Sequence, residues 1–342
     1  MRWPSARAAI ICVVTLAVST PLSSSAASGS GALAITGYIE QGSAPTLIDR
    51  SARALATVGV DGITLGKTAR DVTTPDASEL ALLGRAHADG LRAELLISNY
   101  DNAIGDFSGQ LGAALLASPT NIRDVALHIG NLVSNEGWDG ITVDLESLSA
   151  SDEAGLVNFV TELRRDLPLG RTLSVDVAAA TSVADYQSGG YDVSALGSVV
   201  DRVVLMAYDQ HGPWSQPGPI GAINWQRQAL HVLLTQVSPA KVDLGVAGYG
   251  YAWPRGGRFH HGPTVSDATA RRLVLRDHVR ARWVSASGEW TATLTNGTRL
   301  WWSDARSYRL RVDLAQTLHL HGVAVWQLAS CDPLTTTAGS QS

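Results

Sequence analysis

Cysteine is nearly missing from this chain: Cys12 and Cys331 are the two in 342 residues. Residues 1–27 read as a secretory signal peptide. Arg2 and Arg7 give a basic start, Ala8 to Val18 an apolar run, and Ser25-Ala26-Ala27 a small-residue cleavage site. Its removal would leave Cys331 alone. An intramolecular disulfide is then excluded, and stability must come from a packed core. Without a partner in sight, Cys331 is expected to be a packed thiol rather than a nucleophile. The apolar run of the signal is too short to cross a bilayer, and no later stretch is long enough. A basic run is missing as well. With 26 Lys and Arg against 31 Asp and Glu, the formal charge is −5, which argues against nucleic acid or an anionic membrane as partner. There is no Gly-rich phosphate loop after the first strand-like segment, no Ser-His-Asp or Cys-His motif, and no internal repeat. His260-His261 and His319-x-His321 lack Cys or carboxylate partners at ligand spacing, so neither a metal nor another cofactor is expected.

What is present is an alternation of short apolar strands with amphipathic helices. Leu33–Ile39, Val60–Leu65, Leu91–Ser98, Gly140–Glu146, Thr172–Ala178, Arg202–Tyr208, Lys241–Gly248 and Gly322–Leu328 read as strands. Helices are expected over Ala44–Val58, Asp76–Ala88, Asn121–Glu136, Asp152–Asp166, Ala222–Gln236 and Ala305–Leu320, with a weaker one in Ser182–Leu196. Eight such units in about 300 residues suit an α/β fold of the (β/α)8 TIM-barrel type, with a doubly wound open sheet as the alternative. The interval of about 252–302 breaks the rhythm. It holds a helix near Ala268–His278 and two strands about Ser287-Gly288, and reads as a small α+β insertion between strands seven and eight that walls a groove. Residues 28–342 are thus one domain.

Residues at the C-terminal ends of barrel strands line the active site. Those ends supply Tyr38 and Glu40, Asn99, Asp144 and Glu146, Met206, Tyr208 and Asp209, Tyr249 and Tyr251, and Trp326 and Gln327. Acids and amides among aromatic rings suit sugar recognition. In Asp139-Gly-Ile-Thr-Val-Asp144-Leu-Glu146, the residues Thr142, Asp144 and Glu146 fall on one strand face. Most glycosidases set two carboxyls on opposite sides of the scissile bond. Two on one face cannot easily do so. The arrangement suggests a single acid, Glu146, with Asp144 orienting a 2-acetamido group whose own oxygen attacks the anomeric carbon. Repulsion between the two carboxyls would keep Glu146 protonated.

The stretch from Asp139 to Glu146 resembles the Asp-Gly-x-Asp-x-Asp-x-Glu signature of glycoside hydrolase family 18. Met206-Ala-Tyr208-Asp209 is similar to that family's strand-six motif, and Trp326 to its strand-eight tryptophan. Tyr208 to Pro219 and Leu300 to Ser307 resemble the branch that cleaves bacterial peptidoglycan, including spore-cortex-lytic enzymes. The resemblance implies a (β/α)8 fold and a retaining glycosidase acting on polymers of β-linked N-acetylglucosamine, and the signal segment adds that it is secreted, either extracellular or cell-wall associated. Glu146 would be the acid/base, Asp144 the acetamido holder, Tyr208 the support of the oxazolinium-like intermediate, and Trp326 the sugar floor. Asp209 and Asn99 would be substrate-binding, as would Tyr38, Met206 and Thr142 around them. Thr142 stands where the signature has its first inner Asp. A monomer is expected, and chitin is the alternative polymer. A non-catalytic, lectin-like sugar-binding barrel is the second reading. Retention of Asp144, Glu146 and Tyr208 argues against it.

Overall fold

The computed structural model describes residues 33–256 and 263–336. The expected signal over residues 1–27 lies outside the described residues, as do His260 and His261. Eight strands close into a barrel: β1 (Ala34–Glu40), β2 (Thr57–Thr64), β3 (Arg92–Ser98), β4 (Gly140–Asp144), β5 (Thr172–Ala178), β6 (Arg202–Met206), β7 (Val242–Ala247) and β8 (Gly322–Trp326). Their order around the barrel is sequential, with β8 returning to β1, and all neighbours pair in parallel. This is the (β/α)8 architecture, and the open sheet is excluded.

The strands are buried on both sides, which is why they read as Val-, Ile- and Leu-rich runs. Outward residues such as Val58, Val60, Ile97, Ile141, Val143 and Val203 pack under the helices in one continuous core. Inward residues stack in layers. At the bottom Arg202 donates to Glu94, to Ser174 Oγ at 3.1 Å and to Thr36 Oγ1 at 3.4 Å. Its Nη1 lies 3.8 Å from Asp243, whose Oδ1 meets His321 Nδ1 at 2.6 Å. A layer of Tyr38, Leu96, Val204 and Ala324 lies above. Gly59 makes room for the Tyr38 ring, which a Cβ there would strike. The polar mouth forms the top.

Two expected helices are corrected. Ala44–Val58 is helical only over Thr46–Asp49, because from Thr57 the chain pairs with Thr36 in β1 and Val58 and Val60 enter the core. Ser182–Leu196 is two helices, Val183–Ser188 and Val193–Val199, separated at Gly189-Gly190. Gly190 has φ +81°, and a Cβ there would crowd the Ser149 carbonyl. A hairpin of Tyr100–Asp101 with Asp106–Phe107 and a helix over Gly109–Leu116 were not anticipated.

Between β7 and β8 lies the α+β insertion. It is a five-stranded antiparallel sheet in the order Thr264–Val265, Gly250–Trp253, Arg299–Trp302, Glu289–Thr293, Arg282–Val284. The helix Asp267–Arg276 covers one face through Ala270 and Val274, against Ala252, Ala292, Leu300 and Trp302. Cys331 is a buried thiol, pushed up to about 12 by burial.

Candidate active site

Strand β4 stops at Asp144, two residues before its expected end. Its last pairings are Val143 with Val175 and Asp144 with Ser98. Beyond that point side chains replace the sheet ladder. Tyr191 Oη donates to the Leu145 carbonyl at 2.9 Å. Asn99 Oδ1 accepts from Glu146 N–H at 2.9 Å, and its Nδ2 donates to the Glu146 carbonyl at 2.8 Å and the Ser108 carbonyl at 3.0 Å. Ser147 then turns the chain away with φ +56°. Glu146 is thereby held by its own peptide group, while its carboxyl lines a cavity of about 420 Å³ at the barrel mouth.

That cavity is rich in carboxylates. Glu40 and Asp61 come from β1 and β2, Asp144 and Glu146 from β4 and its extension, Asp176 from β5, and Asp209 from beyond β6. Met206, Tyr208 and Trp326 line it as well, and Tyr100, Asn102 and Phe107 of the unanticipated hairpin close one side. Tyr208 packs edge-on to Tyr249, centroids 6.4 Å apart. Asp209, at φ +55°, accepts from Tyr249 Oη at 2.6 Å and Tyr251 Oη at 3.0 Å, which ties the insertion to the mouth. The Trp326 ring lies 5.9 Å from Tyr38, which supports it from below.

Burial among like charges holds protons on this site. Glu146 is pushed up to about 7 by burial, then by Asp209 and Asp106. Asp144 is raised well above the usual carboxylate range by burial, then by Glu146, Asp176 and Asp61. Asp176 is raised by burial and by Glu146, partly offset by Arg202 below it. Asp61 is pushed up to about 6 by burial and by Glu40 and Glu79. Interacting carboxyls of this kind titrate as a group rather than singly. Asp144 is 8% exposed, and its Oδ1 has no hydrogen-bond partner. A buried acceptor left open is costly unless a ligand donor fills it. The site can therefore give a proton from Glu146, accept a donor at Asp144 and stack a flat ring on Trp326.

Of the residues singled out in the sequence, Asp144, Glu146, Met206, Tyr208, Asp209 and Trp326 meet at this cavity. Three expected substrate contacts do not reach it. Asn99 is fully buried with its amide bonded to backbone. Tyr38 is 3% exposed, and its hydroxyl lies 3.5 Å from Asp176 Oδ1. Thr142 is 1% exposed and faces the same way as Asp144, one layer lower on β4. Each sits one layer too deep, because inward residues near a strand end alternate between lining the mouth and packing below it. Asp176 was missed. The run Ser174-Val175-Asp176-Val177 alternates as Thr142 to Leu145 does, and that was its available signal. Asp139, first of the acid-rich run, works at the opposite end of β4, accepting from Ala93 N–H and Arg171 Nη1, each at 3.0 Å. Among the described residues no group of three or more His, Cys, Asp and Glu could hold a metal ion. No helix there is long and apolar enough to cross a membrane.

Comparison with known proteins agrees with this geometry. The chain is 25% identical over 251 residues to the uncharacterized glycosylase YvbX of Bacillus subtilis (strain 168), covering 69% of this chain and 70% of that one. It is 27% identical over 273 residues to the cortical fragment-lytic enzyme of Bacillus anthracis, covering 76% of this chain and 62% of the relative. The matched stretch thus falls short of two thirds of that relative's length. The chitinase of Chromobacterium violaceum ATCC 12472 superposes with a TM-score of 0.79 at 25% identity, over 88% of this chain and 96% of that structure. The profile of Glycosyl hydrolases family 18 matches residues 98–330, from the end of β3 through Trp326. The chain belongs to glycosyl hydrolases family 18.

Proposed function

We propose that this chain is a secreted retaining glycosidase that cleaves β-linked N-acetylglucosamine polymers, peptidoglycan before chitin, by substrate-assisted catalysis. The observation that carries the reading is the pairing of a proton-holding Glu146 with the open, buried Oδ1 of Asp144. In this mechanism Glu146 protonates the glycosidic oxygen as the acetamido oxygen attacks the anomeric carbon. Asp144 accepts the acetamido N–H, Tyr208 donates to the acetamido oxygen, and Trp326 stacks beneath the ring. Glu146, now ionised, takes the proton from the water that opens the cyclic intermediate, which restores the starting state. The preference for peptidoglycan rests on the cortical fragment-lytic relatives and on the Tyr208–Pro219 loop. The chitinase likeness supports chitin as the second polymer. Secretion rests on the composition of residues 1–27, and every side chain of the site comes from one barrel, so a monomer suffices.

Mass spectrometry of products from purified peptidoglycan and from chitin oligomers tests the substrate. Wall fragments ending in reducing N-acetylglucosamine, with chitin left intact, are the expected result. Hydrolysis of chitin alone overturns the peptidoglycan reading, and binding of both without cleavage favours the lectin-like one.

The raised carboxyls fix a pH dependence. Glu146 acts as an acid only while protonated, so kcat/KM on a soluble N-acetylglucosamine oligomer is expected to fall above about pH 7, approaching tenfold per pH unit. The sign for stability is the same. A carboxyl whose pKa is raised by folding stabilises fully below its ordinary range, and that contribution fades as pH rises through the folded value. For Glu146 the window runs from 4.5 to about 7, and the ligand-free melting temperature should drop across it. A rate that stays flat to pH 9 would contradict the proton assignment.

Asn99 is a positioning residue. Asn99→Leu keeps the branched heavy-atom shape but removes two hydrogen bonds to the Glu146 peptide and one to the Ser108 carbonyl. Since a misplacement near 1 Å can cost about 100-fold, kcat should fall roughly 10- to 100-fold with KM within about threefold. A merely structural role would lower the melting temperature and leave kcat unchanged.

A further inference from the structure

The overall acidic balance hides a segregation of charge. Residues 252–302 carry eight arginines and three acids, a net of +5 within a chain of −5. The catalytic cavity, in contrast, is lined by carboxylates with no Lys, Arg or His among its lining residues.

Three of the arginines, Arg271, Arg272 and Arg276, lie on the helix of the insertion, and register shows where its sheet places two others. Tyr251 pairs with Trp301, Trp301 with Thr291, and Thr291 with Arg282. These four form one row across the sheet, on one face. In the next row of that face Trp253 pairs with Arg299, and Arg299 with Thr293. The opposite face carries Ala252, Leu300, Trp302 and Ala292, all buried under the insertion's helix. The first row begins at the catalytic mouth, since Tyr251 Oη reaches Asp209 Oδ1 at 3.0 Å. It then runs outward through half-buried Trp301 to exposed Arg282. At a strand spacing of about 4.8 Å, Arg282 lies roughly 14 Å from Tyr251. Arg299 is exposed as well, and among the described residues neither guanidinium has an ion-pair or hydrogen-bond partner.

The strand-six loop covers the inner end of this face, with Trp214 against Tyr251 and Trp253 Nε1 donating to the Gly212 and Ser215 carbonyls, which leaves the outer part from Trp301 to the two arginines accessible. We infer that this outer sheet face is a binding platform for the carboxylate-bearing part of a glycan strand whose neutral sugar occupies the cavity. The inference deepens the peptidoglycan reading and rests on it. A strand whose neutral sugars alternate with sugars bearing acidic peptide stems cannot place its anions among the six acids of the mouth without repulsion. The row from Tyr251 leads such a strand away from the acids, across the flat ring of Trp301, to two unpaired guanidiniums. Arginine suits this task because its planar fork takes a carboxylate bidentately. A neutral chitin strand gains nothing from the arginines, so the platform separates the two polymers by charge.

The test uses the full chain and the double variant Arg282→Gln/Arg299→Gln, which lies outside the catalytic machinery. On peptidoglycan, kcat/KM should fall at least fivefold, and on a neutral N-acetylglucosamine oligomer it should stay within twofold. Equal values for the two proteins on peptidoglycan, or parallel losses on both substrates, overturn the platform. Binding is read separately from turnover by co-sedimentation of Glu146→Gln protein with intact and with carboxyl-amidated peptidoglycan. Amidation, or the two arginine substitutions, should each reduce the bound fraction at least fivefold. Binding that survives either change overturns the inference, and so does displacement by heparin at the concentration of wall fragments that displaces, which marks a general polyanion patch. Loss of hydrolysis by the wild type with charge-dependent sedimentation intact would sink the enzymatic reading while leaving the platform standing.

Discussion

Glu146→Gln is expected to lower kcat on a soluble N-acetylglucosamine oligomer by about 10³-fold or more, with the dissociation constant of the same oligomer within about threefold of wild type. The size follows from the double duty of one group. Proton transfer by a positioned side chain contributes typically about 10²- to 10⁴-fold, and here the same carboxyl serves both the bond-breaking and the water-activating step. Glutamine preserves the shape and the Asn99 clamp, which acts on the residue 146 backbone rather than its side chain. Binding through Trp326 and Asp144 is therefore retained, and the loss falls on kcat. Turnover by the variant within tenfold of wild type would mean that another carboxyl lining the cavity, such as Asp176 or Asp209, supplies the proton.

Arg311→Met is expected to destabilise the fold by about 3–5 kcal/mol, the usual cost of removing one member of a buried charged pair, with a drop in melting temperature on the order of 10 °C. Arg311 is fully buried in the helix Ala305–Thr317. It donates to the carbonyls of Gly221 at 2.6 Å, Ser287 at 3.0 Å and Gly288 at 2.5 Å, and to Gln226 Oε1 at 3.0 Å. Its partner Glu289, 3.5 Å away, accepts from the backbone N–H groups of Ile220 and Gly221 at 2.7 and 2.8 Å. One guanidinium thus fastens the insertion hairpin, the return of the strand-six loop and the last barrel helix. Gln226 passes the hold onward by donating to the Ala207 carbonyl, beside Tyr208. Replacing Arg311 alone leaves the Glu289 carboxylate buried without its cation. Arg311→Met with Glu289→Gln should cost less than the sum of the single changes, because no charge is then orphaned. Chemical denaturation of the three variants checks both statements. Additive losses would show that the two groups do not act as a pair.

Strand positions were legible because parallel barrel strands are buried on both faces and stand out as apolar runs. All eight were found, with ends displaced by up to three residues. The helix misread over Ala44–Val58 arose because its second half is apolar at helical and strand spacing alike, and pairing with β1 decides between them. At the site, the Asp144 and Glu146 pair was visible because two acids interrupt an apolar strand. Asp176 breaks β5 in the same manner but stands alone, and Asp61 lies in a strand whose start was misplaced. Depth was not legible. Nothing in the sequence distinguishes Thr142 and Tyr38, packed under the floor, from Asp144 and Trp326 one layer above. Asn99 holds a peptide 47 residues away, and no local pattern announces such a partner. The charge of the insertion could be counted in the sequence, but that Arg282 and Arg299 share one sheet face required the register.

The ionic plug of Arg202, Glu94 and Asp243 closes the far end of the barrel, leaving a vessel with a single opening. On the proposed chemistry, the water that completes the reaction therefore comes from the open mouth rather than through the barrel floor. It meets the anomeric carbon on the face the leaving saccharide vacates, while the acetamido oxygen covers the other.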